Sequence, residues 1–217
     1  RDVWKYPKVL VPIGPDKVFL DWLVEYLHDQ KFDEIILLLG YRSADVINYL
    51  SDLETSLKIS FRVEAEPLGT GGAIVELVRD IDSISPELWL FNGDTIYTNN
   101  LPKTFLDHTW APGKFLLLTK CMVENRRYGS VSISNDSVDF SRGENSSFIP
   151  NSQVYIGAAR IQTSLLKGVK LDNPFSLEDM LTQISIEEGV ENFEFITVDF
   201  DFLDFGVPDD FKKLSRS

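Results

Sequence analysis

Apolar residues recur along this chain with two different periods. Phe19, Leu20, Leu23, Val24, Tyr26 and Leu27 fall three and four apart, the spacing of one helix face. Residues 34–40 form instead a short apolar run closed by Gly40, which reads as a strand buried in a parallel sheet. Ser43 stands where a helix cap belongs, ahead of Val46, Ile47 and Leu50. Residues 59–63 alternate as a strand. Gly71 and Gly72 open a helix with Ile74, Leu77 and Val78 on one face, and Leu88, Trp89, Leu90 and Phe91 make the next buried strand. This alternation is repeated βαβ, and it predicts an α/β fold whose sheet is parallel-rich and covered by helices on both faces.

After Pro102 the pattern changes. Strands are expected at 115–118, 129–133, 154–159 and 193–198, and a helix starts in the segment 175–181. The stretch 135–152 is rich in Ser and Asn and reads as a loop. Pro208 sits at a favoured first-turn position of a last helix. Neither an internal repeat nor a linker interrupts residues 1–217, which are expected to form one domain.

The net charge of −13 argues against a general nucleic-acid surface, which needs basic patches to displace counterions. The single cysteine, Cys121, excludes an intramolecular disulfide and fits a reducing cytoplasm. Its strand-like setting predicts a buried, inert thiol. No apolar run approaches the roughly 20 residues of a membrane span, and no signal peptide is evident. Composition leaves room for a homo-oligomer.

Chemistry concentrates in three places. Asn92, Gly93 and Asp94 follow one apolar strand, and Asp204 ends another, at positions where an α/β sheet opens into its ligand crevice. Two carboxylates converging on one Mg²⁺ suit work on a nucleoside triphosphate, because Mg²⁺ is usually held by one or two carboxylates plus substrate phosphates. The segment 66–73 carries three glycines in four positions after a strand and before a helix. Its backbone can approach a planar ligand, and its free helix N–H groups can bind an anion or a base edge; a plain tight turn is the bland alternative. Lys8 lies between Pro7 and an apolar strand and could serve as a point charge for phosphate, or be an ordinary surface lysine. His28, His108, the basic spot 125–128 and Asp199 read better as solvated positions than as ligands; Asp201, near Asp204, is a second candidate for metal and ranks below it.

In this order, these segments resemble the sugar-phosphate nucleotidylyltransferases. The shared pattern comprises Pro7, Lys8 and Pro12; residues 66–73; Asn92, Gly93 and Asp94; residues 128–131; residues 175–178; and residues 204–210. The Asn-Gly-Asp and Pro-Leu-Gly-Thr-Gly-Gly-Ala runs lean towards the branch with D-glycero-D-manno-heptose 1-phosphate and mannose-1-phosphate guanylyltransferases. The resemblance implies a three-layer α/β/α, Rossmann-like fold with a mixed, mostly parallel sheet. The implied reaction joins an NTP, GTP favoured, and a sugar 1-phosphate into a nucleotide sugar and pyrophosphate, with Mg²⁺ as cofactor and no role for nucleic acid or membrane. By motif position, Lys8, Asp94 and Asp204 are catalytic, the two aspartates being the metal ligands. Glu66, Leu68, Gly69, Thr70, Gly71, Gly72, Asn92 and Gly93 would face the nucleotide, and Gly129, Tyr155 and Glu178 the sugar phosphate.

Some positions depart from the family. It opens with a strand and a G-x-G-T-R loop, and this sequence starts just past them, with Arg1 standing after the loop. A domain without the N-terminal strand and glycine-rich loop is therefore expected. A Glu-Lys pair that usually contacts the sugar is replaced after Phe140 by Ser141, Arg142 and Gly143, and the usual Asn of the following strand is Tyr155. Two rival readings follow: a non-catalytic homologue that binds nucleotide sugar and regulates a partner, or a glycosyltransferase of related fold using Asp94 for its metal.

Overall fold

The computed structural model of the chain describes residues 6–81, 84–107, 114–122, 130–134, 136–141, 152–170 and 174–204. The chain runs through α1 (Phe19–Asp29), β1 (Glu34–Leu39), α2 (Ser43–Ser51), β2 (Lys58–Val63), α3 (Gly69–Asp80) and β3 (Glu87–Phe91). There follow β4 (Thr95–Tyr97), α4 (Lys103–Leu106), β5 (Phe115–Met122), β6 (Ser130–Ile133), β7 (Val138–Ser141), β8 (Ser152–Gln162), α5 (Leu177–Glu188), β9 (Phe193–Val198) and β10 (Phe202–Asp204). The expected helix at Pro208 lies outside the described residues. These elements sort into two compact units, and the chain passes between them four times. One holds the residues up to Glu66, with Asn92–Asn100 and the chain from Asp201; the other holds Pro67–Phe91 and Leu101–Phe200.

In the first unit β1 and β2 pair in parallel, from Glu34 opposite Lys58 to Leu39 opposite Val63. Helix α1 buries Phe19, Leu20, Leu23, Val24 and Leu27, the residues its spacing picks out. Each fully buried side chain of this size contributes about 1.5–3 kcal/mol. Leu20 and Val24 share a cluster with Leu10, Leu39, Val46 and Leu57. Asp21 ties α1 to its surroundings, accepting from the Val18 amide at 2.8 Å and from the Tyr49 hydroxyl of α2 at 2.7 Å. Two expectations are corrected here. Residues 35–38 are only half-buried, because β1 has one strand neighbour among the described residues. Ser43 is the first helical residue and not the cap; that position belongs to Arg42, with left-handed backbone (φ 58°) and its guanidinium on Asp45.

The second unit is built on a sheet ordered β7-β6-β8-β5-β9, with β3 also paired to β8. The sheet is mixed. Its parallel ladder is β5–β9, whereas β8 runs antiparallel to β5, β3 and β6. Antiparallel pairing is thus more frequent among the described ladders than the βαβ pattern of the first half implies, because β8 returns along three neighbours. Phe115, Leu116, Leu117 and Leu118 are wholly buried, with Ile156, Ala158 and Ile161 of β8 alongside. The Arg160 guanidinium is buried too. It is satisfied by Glu87, accepts the Trp89 ring as a cation–π partner at 4.2 Å, and donates to the Phe105 carbonyl at 2.6 Å. Strand β5 outlasts the core, so Cys121 near its end is exposed and not buried as expected. The polar stretch after Asn135 also holds β7, paired with β6 and lying against α5 through the Val138 amide, which donates to Ser185 Oγ at 2.8 Å.

Candidate active site

Lys8 sits in a single 3₁₀ turn, Lys8–Leu10, and not on a strand. Pro7 and Pro12 flank it; both lack an N–H, which removes two of the donors a ladder would need. The turn closes through Leu10 N on the Pro7 carbonyl (2.9 Å) and Val11 N on the Lys8 carbonyl (3.2 Å). Burial of Leu10 and Val11 anchors one end and leaves the Lys8 side chain 42% exposed. Its ammonium donates to Asp94 Oδ2 at 3.0 Å.

Asp94 lies in the turn between β3 and β4, with its side chain 26% exposed. The segment from Asn92 to Asn100 is pinned to α1. Tyr26 Oη donates to the Asn99 carbonyl at 2.8 Å, Gln30 Nε2 donates to Asn100 Oδ1 at 2.9 Å, and the Tyr26 and Tyr97 rings lie 5.6 Å apart. Burial pushes the Tyr26 phenol well above its usual range, so it stays protonated and remains a donor. Strand β4 then pairs antiparallel with β10, Asp204 opposite Thr95. The ladder is locked at its far end by Thr98, whose amide and hydroxyl both donate to the Asp201 carbonyl (3.0 and 2.8 Å). Residues 8, 94 and 204, far apart in sequence, thus lie in one unit: the Lys8 ammonium is on the Asp94 carboxylate, and the backbone of Asp204 is paired with Thr95, the residue after Asp94.

Asp94 and Asp204 carry the hard oxygen donors that Mg²⁺ takes, and Asp94 pairs with the Lys8 ammonium. Among the described residues no group of three or more His, Cys, Asp and Glu is placed to hold a metal, so other positions around an ion would fall to phosphate and water. Asn92 is half-buried in the same turn, and Gly93 is exposed with Val9 beside it; Glu66 is exposed beyond the end of β2.

The glycine loop belongs to the second unit and is committed to a neighbouring backbone. Phe175 N donates to the Leu68 carbonyl (3.0 Å), Gly71 N to the Phe175 carbonyl (3.1 Å), and Leu177 N to Thr70 Oγ1 (2.8 Å). One of the helix N–H groups expected to be free for a ligand is therefore taken. Gly69 has φ +76°, and a Cβ there would come 2.3 Å from the Phe175 carbonyl oxygen. Gly72 is buried behind it. The loop thus fixes the start of α5, where Ser176 Oγ caps the Asp179 amide at 3.1 Å and Glu178 follows. Gly71→Ala is expected to destabilise the protein by about 1–3 kcal/mol, since its Cβ would meet the Ser176 carbonyl oxygen at 2.5 Å. An unshifted urea midpoint would show that this contact does not constrain the loop.

Tyr155 of β8 carries a hydroxyl that is buried and has no hydrogen-bond partner among the described residues. Burial first, and the Glu178 charge second, drive its pKa well above the usual phenol range. The structure thus brings Tyr155 and Glu178 near one another, as the sequence reading grouped them, but with the hydroxyl turned inward and the Phe140 ring edge-on at 6.3 Å. Gly129, His108, Arg1, Arg126, Arg127 and Tyr128 lie outside the described residues. His28 is solvent-facing as expected, 52% exposed, with Ser56 at 3.1 Å. No local sequence signal marks residues 175–177 as the loop's partner; the Ser176-x-x-Asp179 spacing marks only the helix cap.

The nucleotidyl transferase family pattern matches residues 4–144, and this chain belongs to that family. It is 33% identical over 218 residues to D-glycero-alpha-D-manno-heptose 1-phosphate guanylyltransferase of Aneurinibacillus thermoaerophilus, covering 99% of this chain and 90% of that protein. The Campylobacter jejuni protein of the same name is 31% identical over 207 residues, covering 94% and 87%. Among solved structures, HddC from Yersinia pseudotuberculosis complexed with GMP-PN superposes with TM-score 0.75 at 26% identity, covering 97% of this chain and 89% of that one. The α/β nucleotidyltransferase fold expected from the motifs is thereby established. No helix among the described residues is long and apolar enough to cross a membrane.

Proposed function

We propose that this chain transfers a nucleoside monophosphate from an NTP, GTP in the first place, to a sugar 1-phosphate. The observation that carries the reading is its similarity, over nearly its whole length, to heptose 1-phosphate guanylyltransferases. An oxygen of the sugar phosphate attacks the α-phosphorus in line. The bond from that phosphorus to the bridging oxygen breaks, and pyrophosphate leaves with the electron pair. Such chemistry needs positioning and charge neutralisation more than a protein nucleophile.

Mg²⁺, when bound, would draw negative charge from the phosphate oxygens. Asp94 and Asp204 are the residues that would hold it, on a ladder pinned by Tyr26, Gln30 and Thr98. Lys8, on its proline-bounded turn, would stabilise phosphate charge as a point cation. By motif position, Leu68 to Gly72 would hold the base, and Glu178 and Tyr155 would serve the sugar side. A cytoplasmic setting suits a chain with one cysteine.

The test is pyrophosphate release from purified protein with Mg²⁺, each of the four NTPs, and heptose or hexose 1-phosphates. GTP with a heptose 1-phosphate is expected to be the fastest pair. Nucleotide-sugar binding without turnover on any pair would instead indicate a non-catalytic homologue.

A further inference from the structure

The Lys8–Asp94 pair bears on how metal enters, given the reading of Asp94 and Asp204 as metal carboxylates. The ammonium occupies one oxygen of Asp94, at 3.0 Å. Its carrier is not a wandering side chain base: the turn is closed by two backbone hydrogen bonds and anchored by buried Leu10 and Val11. The ammonium offsets the charge of the carboxylate that a divalent cation would use. A bare cation must displace that ammonium or sit beside a like charge a few ångströms away, a repulsion that water screens only in part. A nucleoside triphosphate changes that balance, because its phosphates give the ammonium another anion and bring further oxygens for the cation.

We propose that Lys8 acts as a built-in counter-ion that occupies the metal carboxylate until nucleotide arrives, so that divalent metal loads with the nucleotide and poorly on its own. Lys8 would then have two roles in sequence: holding Asp94 in the free state, and contacting phosphate in the loaded one. The exposure of the pair, 42% and 26%, makes the contact weak enough to exchange.

Titrating the purified protein with Mn²⁺ alone, and counting free Mn²⁺ by its electron spin resonance signal, tests this without turnover. Lys8→Met should bind Mn²⁺ about 3- to 10-fold more tightly than wild type, since an exposed pair and a like charge are both removed. Lys8→Arg should behave as wild type, because it keeps the charge. Adding Asp94→Asn to Lys8→Met should erase the gain. With GTP present the order should reverse, Lys8→Met binding the Mn²⁺–GTP complex more weakly. Mn²⁺ affinity in Lys8→Met equal to or below wild type would overturn the proposal, as would a gain that survives Asp94→Asn. Failure of the transferase reading shows separately, as absent pyrophosphate release by wild type with every substrate pair.

Discussion

Replacing Asp94 or Asp204 with Asn is expected to lower kcat by at least about 10³, or about 4 kcal/mol of transition-state stabilisation. Asn keeps the size and one oxygen but removes the charge that would hold a divalent cation. The reaction develops negative charge on phosphate oxygens and has no protein nucleophile to fall back on, so no other group substitutes for the loss. The fold should survive. Asp94 is a turn residue with a 26% exposed side chain, and its ion pair with Lys8 is of the exposed kind, worth about 0–1 kcal/mol. Asp204 is held in register by backbone pairing with Thr95, which the substitution leaves untouched. Steady-state kinetics with GTP and heptose 1-phosphate, beside a thermal unfolding curve, separates the two effects. Turnover within tenfold of wild type in both variants would remove these carboxylates from the chemistry.

Lys8→Met is expected to cost about 10²–10³ in kcat, the usual loss on removing one fixed donor from a charge-stabilising site. Methionine keeps the apolar stem and deletes only the ammonium, so the change isolates electrostatics. Stability should hardly move, because Leu10 and Val11, not Lys8, anchor the turn. Should Lys8→Met turn over like wild type, phosphate contact passes to the cations at Arg1, Arg126 and Arg127.

Much of this was legible in the chain. The spacing of Phe19, Leu20, Leu23, Val24 and Leu27 defined α1 because one helix face packs against one core. Short elements escaped: β4 has three residues and β7 four, too few to show a period, and each exists because a partner strand satisfies its backbone. Cys121 misled for a related reason. Periodicity says that a residue is in a strand but not where the core beneath the strand ends.

The motifs by themselves determined the family, the reaction class and the residues worth testing, since residue type and order carry that chemistry directly. Tertiary structure alone decided what those residues touch. Ladder register sets Asp204 opposite Thr95, the proline-bounded turn delivers Lys8 to Asp94, and the backbone at 175–177 claims the glycine loop. Each is a contact between segments distant in sequence, fixed by packing and by hydrogen bonds that must be satisfied once buried, and no local pattern encodes the partner.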